Sequence, residues 1–156
     1  MKLTVNERGP FTDVIKLDYR DLDSIADGID PFTGATLATA GQLVIATKPA
    51  YGGVYLAQVA EVTALAGASD ITFDIGTTAG DPDEYIDALD VDAMTAPVAN
   101  TGDAFNDGTT AGVINVVDQT NAAESIILEV NGTTGDLTAG EVIIGLGVTN
   151  LGDFNI

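Results

Sequence analysis

Apolar and polar residues alternate in short segments along most of this chain, and this alternation predicts β-strands. Ile71, Phe73 and Ile75 alternate with polar neighbours, which is the pattern of a strand with one face in a core. The longer segment 54–62 has apolar residues on both faces, as in a strand that is covered on both sides for part of its length. The predicted strands cover residues 14–19, 43–47, 54–62, 71–75, 113–117, 125–130 and 141–148.

Residues typical of turns separate these segments, and one connection has the composition of a tight hairpin. The chain contains 18 Gly, and residues 131–136 read Asn-Gly-Thr-Thr-Gly-Asp between the last two predicted strands. Residues 82–89 begin with proline and carry carboxylates, so they are predicted to form the helical turn of the chain. Short strands with such turns indicate an all-β fold, an antiparallel β-sandwich with long acidic loops.

The first 42 residues follow a weaker pattern than the remainder of the chain. Turn residues interrupt them at Gly9-Pro10, Asp27-Gly28 and residues 30–34. The sequence therefore predicts an extended N-terminal arm or loop segment over residues 1–42 and a β-sandwich domain over residues 43–156. The core of this domain is expected to form without the arm.

The charges are distributed unevenly, which limits the partners that the chain can bind. From residue 49 onward there is no Lys or Arg, whereas 17 of the 24 acidic residues lie there, and the net charge of the chain is −19. Such a surface repels nucleic acid and anionic membranes, so neither is an expected partner. Adaptation to high salt is another interpretation of this acidity. The five cations are Lys2, Arg8, Lys16, Arg20 and Lys48.

The sequence has no feature of a protein that crosses a membrane by the usual route. No segment approaches the roughly 18 uninterrupted apolar residues that a membrane-spanning helix needs. Residues 1–11 include three charges and lack the apolar core of a secretory signal. The chain is therefore expected to be made and to act without passing through a membrane.

The residue types that most often perform catalysis are missing. With no His and no Cys, the chain has neither a Ser-His-Asp nor a Cys-His site, and it lacks imidazole and thiolate metal ligands. Two carboxylates could still hydrolyse glycosides, but nine aromatic residues without Trp are few for the aromatic-lined cleft of such enzymes. The sequence thus predicts a protein that is not an enzyme and has no cofactor.

One cluster of carboxylates has the composition of a calcium site. Asp81, Asp83 and Asp87 lie in a segment with six acidic residues over 81–92, and Ca²⁺ prefers carboxylate and carbonyl oxygens. The spacing does not match the EF-hand loop. In a chain this acidic, a solvated loop is the favoured interpretation, so these three residues are only weak candidates and no metal is expected.

The segment Asp70–Thr78, followed by Gly80–Asp87, resembles part of a family of small virion proteins. These are the capsid decoration, or cement, proteins of tailed bacteriophages, in particular those with a β-sandwich body. In that family a strand ends in Gly-Thr-Thr, and an acidic turn then leads to a Tyr-Ile-Asp step, as it does here. Residues 8–12, Arg-Gly-Pro-Phe-Thr, and residues 138–142 are also similar.

This resemblance implies a structural role on a virus particle. The expected fold is a jelly-roll-like β-sandwich, commonly a homotrimer, on the outer capsid surface of the virion, made in the host cytoplasm. The expected function is to clamp neighbouring capsomers, with the major capsid protein as partner. A trimer would also bury apolar residues near the C-terminus, such as Ile143, Leu146 and Val148. The N-terminal cations and apolar residues are the expected capsid contacts, namely Arg8, Phe11, Val14, Ile15, Lys16, Leu17 and Arg20.

Three other interpretations of the sequence stay open. A calcium-dependent extracellular adhesion or carbohydrate-binding β-module would use the acidic segment 81–92. A head-fibre base or a tail-associated β-module would also be a virion protein but would bind elsewhere on the particle. An acidic enzyme from a saline habitat is the third, and the absence of His and Cys argues against it.

Overall fold

Alternating strand segments fold into two antiparallel sheets in a computed structural model, which describes residues 11–68, 70–80, 82–102 and 122–150. A short 3₁₀ helix, Thr134–Asp136, lies between the last two strands. The other elements in chain order are β1 (Asp13–Asp18), α1 (Tyr19–Ala26), β2 (Gln42–Lys48), β3 (Gly52–Ala66), β4 (Thr72–Gly76), β5 (Ile86–Asp90), β6 (Val98–Ala99), β7 (Glu124–Asn131) and β8 (Ala139–Asn150).

The order of the strands is that of an eight-stranded jelly roll. One sheet has the order β1-β8-β3-β6 and the other β2-β7-β4-β5. β1 pairs with β8, β2 with β7, β3 with β6 and β4 with β5, so the first half of the chain runs antiparallel to the second half. Additional pairing of β3 with β8 and of β4 with β7 completes the two sheets. The predicted all-β sandwich is confirmed.

The core lies between the two sheets and is built from the inward positions of their strands. Val59 and Ile144 are opposite each other on β3 and β8 and are both fully buried. Phe73 and Val130 form the corresponding pair on β4 and β7, with exposed fractions of 0% and 5%. Because side chains on a strand alternate between its faces, these positions also fix which residues point outward.

The segment before residue 43 is part of this core. Asp18 is the N-cap of α1: its side chain accepts hydrogen bonds from the backbone N–H groups of Arg20 and Asp21, while the Asp21 side chain accepts from Asp18 N–H. Leu22 and Ile25, three positions apart on one helix face, are fully buried. Residues 11–42 therefore contribute side chains to the core that was assigned to residues 43–156 alone. The boundary at residue 42 itself stays a prediction.

Two predicted local structures differ from those observed. Residues 82–89 do not form a helical turn, because Ile86 to Asp90 pair with β4 as the edge strand β5. Residues 131–136 do not close a hairpin, because β7 and β8 belong to opposite sheets and the connection crosses between them. In both cases the pairing of strands within the two sheets outweighs a local preference. The predicted strand 113–117 lies outside the described residues.

Candidate interaction surfaces

Two of the predicted capsid contacts are buried within the fold. Leu17 points into the core from β1 and is fully buried, and Val14 has an exposed fraction of only 4%. Leu17 therefore cannot contact a partner in this fold, and its assignment is corrected. Val14 lies on the outer side of β1 next to Gly145, so its assignment stays a prediction. The prediction for Leu17 failed because the apolar pattern of a single strand is the same whether the strand lies in an extended arm or in a sheet.

Three other predicted contacts are partly accessible but are also engaged in the fold. Ile15 packs against the core, and Lys16 forms a salt bridge of 2.7 Å with Glu141 on β8. Phe11 lies just before β1, with its ring over Gly145, so that a Cβ at residue 145 would lie 2.6 Å from the ring. Phe11 thus covers a strand position that has no side chain.

Arg20 is the predicted contact that the structure leaves most available. Its side chain is exposed at the start of α1, and its guanidinium carbon lies 5.2 Å from the centroid of the Tyr19 ring. Arg20 Nε donates a hydrogen bond of 3.0 Å to the Tyr19 hydroxyl, and this contact raises the pKa of Arg20 above its ordinary value. The cation is therefore held in one orientation while it faces solvent. Arg8 lies outside the described residues.

The outer side of β1, β8 and β3 forms a surface that we call the apolar face. Lys16, Ile143 and Ala60 form one row across the three strands, and Val14, Gly145 and Gln58 form the next. Leu56 is opposite Gly147. The Tyr55 ring occupies the space that a side chain at residue 147 would fill. The apolar face comprises Phe11, Val14, Lys16, Tyr55, Leu56, Gln58, Ala60, Ile143, Gly145 and Gly147, with Val62 at its margin.

The apolar face is unusual for the outer side of a sandwich because most of its positions carry no polar group. Val62 is 51% exposed, and the side chains of Leu56, Ala60 and Ile143 are only partly buried. Lys16 is the single charged residue of its two central rows and is paired with Glu141. Glu141 and Asp18 form the next row, beside Val62, and mark the border of the face. The apolar residues on both faces of the predicted strand 54–62 were the sequence signal for this surface. Its partners on β8 became apparent only from the register.

The outer side of β2, β7, β4 and β5 has the opposite character, and we call it the acidic face. Asp74 and Glu129 are opposite each other on β4 and β7, and Asp90 lies outward on the edge strand β5. Gln42 Nε2 donates to Glu129 Oε1 at 3.0 Å, and Asn131 Nδ2 donates to Asp74 Oδ2 at 2.9 Å. The acidic face comprises Gln42, Val44, Asp74, Asp90, Glu129 and Asn131.

Asp74 shows how closely the carboxylates on this face are placed. Partial burial raises the pKa of Asp74 above its ordinary value, and the negative charges of Glu129, Asp87 and Asp83 raise it further. The backbone N–H of Ala88 donates to Asp74 Oδ1 at 2.6 Å and partly opposes this effect. The negative charge of Asp74 on the acidic face therefore lowers the stability of the folded state.

Several carboxylates of the predicted calcium segment act as hydrogen-bond acceptors for backbone N–H groups. Glu84 accepts from Thr77 N–H at 2.8 Å and Thr78 N–H at 3.2 Å, and Asp92 accepts from Ile71 N–H at 2.8 Å. Asp83 is partly buried and Asp87 is exposed, whereas Asp81 lies outside the described residues. In the part of the chain that the structure describes, no three acidic side chains are grouped as a metal site requires.

An open groove of about 430 Å³ runs along the edge strand β5. Leu89, Met94 and Pro97 supply apolar surface, and Asp87 and Asp90 lie at its rim. The bulge between β4 and β5, where Ala88 has a φ of 43°, distorts the free edge of β5 next to this groove. A distorted edge discourages the addition of another strand beside β5.

Within the described residues neither the eight-residue α-helix α1 nor the 3₁₀ helix is long enough to cross a membrane.

Comparisons with known proteins identify a shared fold without assigning a family. No protein-family model matches the sequence, and no curated protein matches it. A chain of a structure described as the cyanophage Pam1 capsid asymmetric unit is similar, with a TM-score of 0.50 and 15% identity over 86% of this chain and 79% of that one. A chain of the capsid of Ralstonia phage GP4 has a TM-score of 0.48 and 17% identity over 94% of this chain and 90% of that one. The Pam1 similarity supports the sandwich architecture described above.

Proposed function

We propose that this chain is a structural, non-enzymatic protein of a tailed-bacteriophage virion that decorates the outer capsid surface. Its role there is to clamp neighbouring capsomers, with the major capsid protein and further copies of itself, as a homotrimer, for partners. The fold shared with a chain of a phage capsid structure supports a place in the virion.

The observation that carries this proposal is the contrast between the two outer sides of the sandwich. Apolar side chains cover one side, whereas Asp74, Glu129 and Asp90 lie on the other. A protein that acts alone in solution gains nothing from such an asymmetry. In an assembly, the apolar face can be covered while the acidic face remains in solvent, where its charge keeps crowded particles apart.

Contact with the capsid is proposed for the accessible part of the predicted set, with Arg20 as its main member. The Tyr19 ring and hydroxyl hold the guanidinium in an exposed position beside β1, which is an edge strand of its sheet. A preorganised arginine can form a bidentate pair with a carboxylate of the partner. Ile15, on the same segment, is partly accessible and belongs to the proposed contact, whereas Phe11 and Lys16 lie on the outer side of the sheet that contains β1.

Binding to purified phage heads that lack the protein tests the proposal directly. We expect the chain to cosediment with undecorated heads and not with isolated tails. Binding to tails alone would instead support a tail-associated module. Arg20→Ala should weaken head binding, whereas Thr47→Glu, on the exposed side of β2, should not. Because both substitutions make the net charge one unit more negative, a difference between them reports the local contact and not general repulsion.

A further inference from the structure

The apolar face lies on a molecule whose other charges oppose self-association. Each copy carries a net charge of −19, so two copies repel each other at long range. Repulsion falls where the surfaces that meet carry few carboxylates. Across the two central rows of the apolar face, the charged residue is Lys16, and Glu141 neutralises it at 2.7 Å.

The composition of this face also suits close packing between proteins. Gly145 and Gly147 have no side chains, and the Phe11 and Tyr55 rings fill the space above them. Aromatic rings of this kind supply large contact areas with little loss of side-chain entropy. Leu56, Ala60 and Ile143 extend the apolar surface between them, and Val62 projects at its margin with 51% of its surface exposed.

We infer that the apolar face of β1, β8 and β3 is the surface through which copies of this chain bind one another. The inference rests on the self-association in the proposed function and names the surface that it uses. A second copy fits this face because two apolar faces can meet while both acidic faces, with Asp74 and Glu129, stay far apart and directed into solvent.

Two valines on opposite faces of the sandwich provide a matched test. Val62 borders the apolar face and is 51% exposed, whereas Val44 lies on the acidic face and is 56% exposed. Val62→Lys and Val44→Lys each make the net charge one unit less negative and therefore reduce general repulsion equally. We expect Val62→Lys to lower the molar mass in light scattering from a multiple of 15.9 kDa towards the mass of one chain. Val44→Lys should keep the mass of the unchanged protein.

A fluorescent label gives a second measurement that does not depend on a disruptive charge. Because the chain has no Cys, Val62→Cys and Val44→Cys each provide a unique site for a polarity-sensitive dye. We expect the dye at residue 62 to emit at shorter wavelength in the assembled protein and to shift to longer wavelength on dilution. Emission from the dye at residue 44 should not depend on concentration.

Several outcomes would overturn the inference, and they can be told apart from failure of the proposed function. An unchanged protein that is a single chain at micromolar concentration, or a folded Val62→Lys variant that keeps the full mass, contradicts it. If the single chain still binds heads and Val62→Lys abolishes that binding, the apolar face contacts the capsid and not a second copy. If no variant binds heads but Val62→Lys dissociates the assembly, the interface is correct and the proposed function is wrong.

Discussion

The carboxylate of Glu84 occupies the space that a side chain at Gly76 would fill. From this position it accepts hydrogen bonds from Thr77 N–H and Thr78 N–H, and from the hydroxyl groups of both residues. A Cβ at residue 76 would overlap this carboxylate. The Gly-Thr-Thr segment at the end of β4 and the acidic residue that follows it are thus parts of one turn, joined by a side chain eight positions away.

Replacing Gly76 should therefore disrupt this turn. Gly76→Ala is expected to lower the free energy of unfolding by about 1–3 kcal/mol, because the added methyl group must displace the Glu84 carboxylate from its donors. Urea denaturation followed by circular dichroism measures the change. Gly135→Ala is the matched control: the nearest atom to its new methyl group is 3.8 Å away, so its stability should remain close to that of the unchanged protein. Equal losses in both variants would contradict this account.

Neutralising Asp74 should stabilise the protein at neutral pH. Its raised pKa means that the folded state binds the proton more tightly than the unfolded chain does, so stability falls as the pH rises through the folded-state pKa. Asp74→Asn removes a charge directly opposite Glu129, and like charges in that position cost about 0.2–1 kcal/mol.

Thermal melting across a pH series checks this prediction. The variant should melt at a higher temperature than the unchanged protein near pH 7, and the gap should close as the pH falls and Asp74 becomes protonated in both states. Asp136→Asn, at an exposed position, removes one charge without this contact. A gap that is independent of pH, or one of the same size for Asp136→Asn, would show that the cause is not the pairing with Glu129.

Truncating the core contact of β1 should destabilise the whole sandwich. Leu17→Ala is expected to cost about 2–5 kcal/mol, because Leu17 is fully buried among residues of both sheets. Arg20→Ala, three positions later on the exposed side of the helix, should leave the unfolding midpoint nearly unchanged. Deletion of residues 1–20 should accordingly abolish the cooperative melting transition. A truncated protein that melts as the full chain does would restore the interpretation of this segment as a separate arm.

Calcium should have no selective effect on stability. Glu84, Asp90 and Asp92 accept hydrogen bonds from backbone N–H groups of their own turns, and in the described residues no three acidic side chains are grouped as a cation site requires. Calorimetry with millimolar Ca²⁺ or Mg²⁺ should therefore give the same melting temperature. A site of micromolar affinity at a thousandfold excess would instead add about 4 kcal/mol for Ca²⁺ alone. That result would support the calcium-dependent adhesion module.

Alternation of side chains along the chain was sufficient to predict most of the strands and the class of the fold. The segments around Ile71–Ile75 and Val54–Val62 are strands in the structure because burial of one face, or of both, leaves a local pattern. The helix α1 was also encoded locally, in the Asp18 and Asp21 capping pair and the spacing of Leu22 and Ile25, but this signal was missed and an extended arm or loop was predicted there. The uneven charge of the chain was fully determined by the sequence.

Pairing between distant strands decided which residues lie in the core and which form the outer faces of the sandwich. Whether Leu17 lies in an arm or in a core depends on its partner Val142, which is 125 residues away, and no local pattern records that choice. The apolar face likewise requires the register that places Ala60 beside Ile143 and the Phe11 ring over Gly145. Sequence periodicity determines which residues share one side of a strand, whereas only the tertiary structure determines which strands lie next to each other, because their pairing depends on contacts across the whole chain.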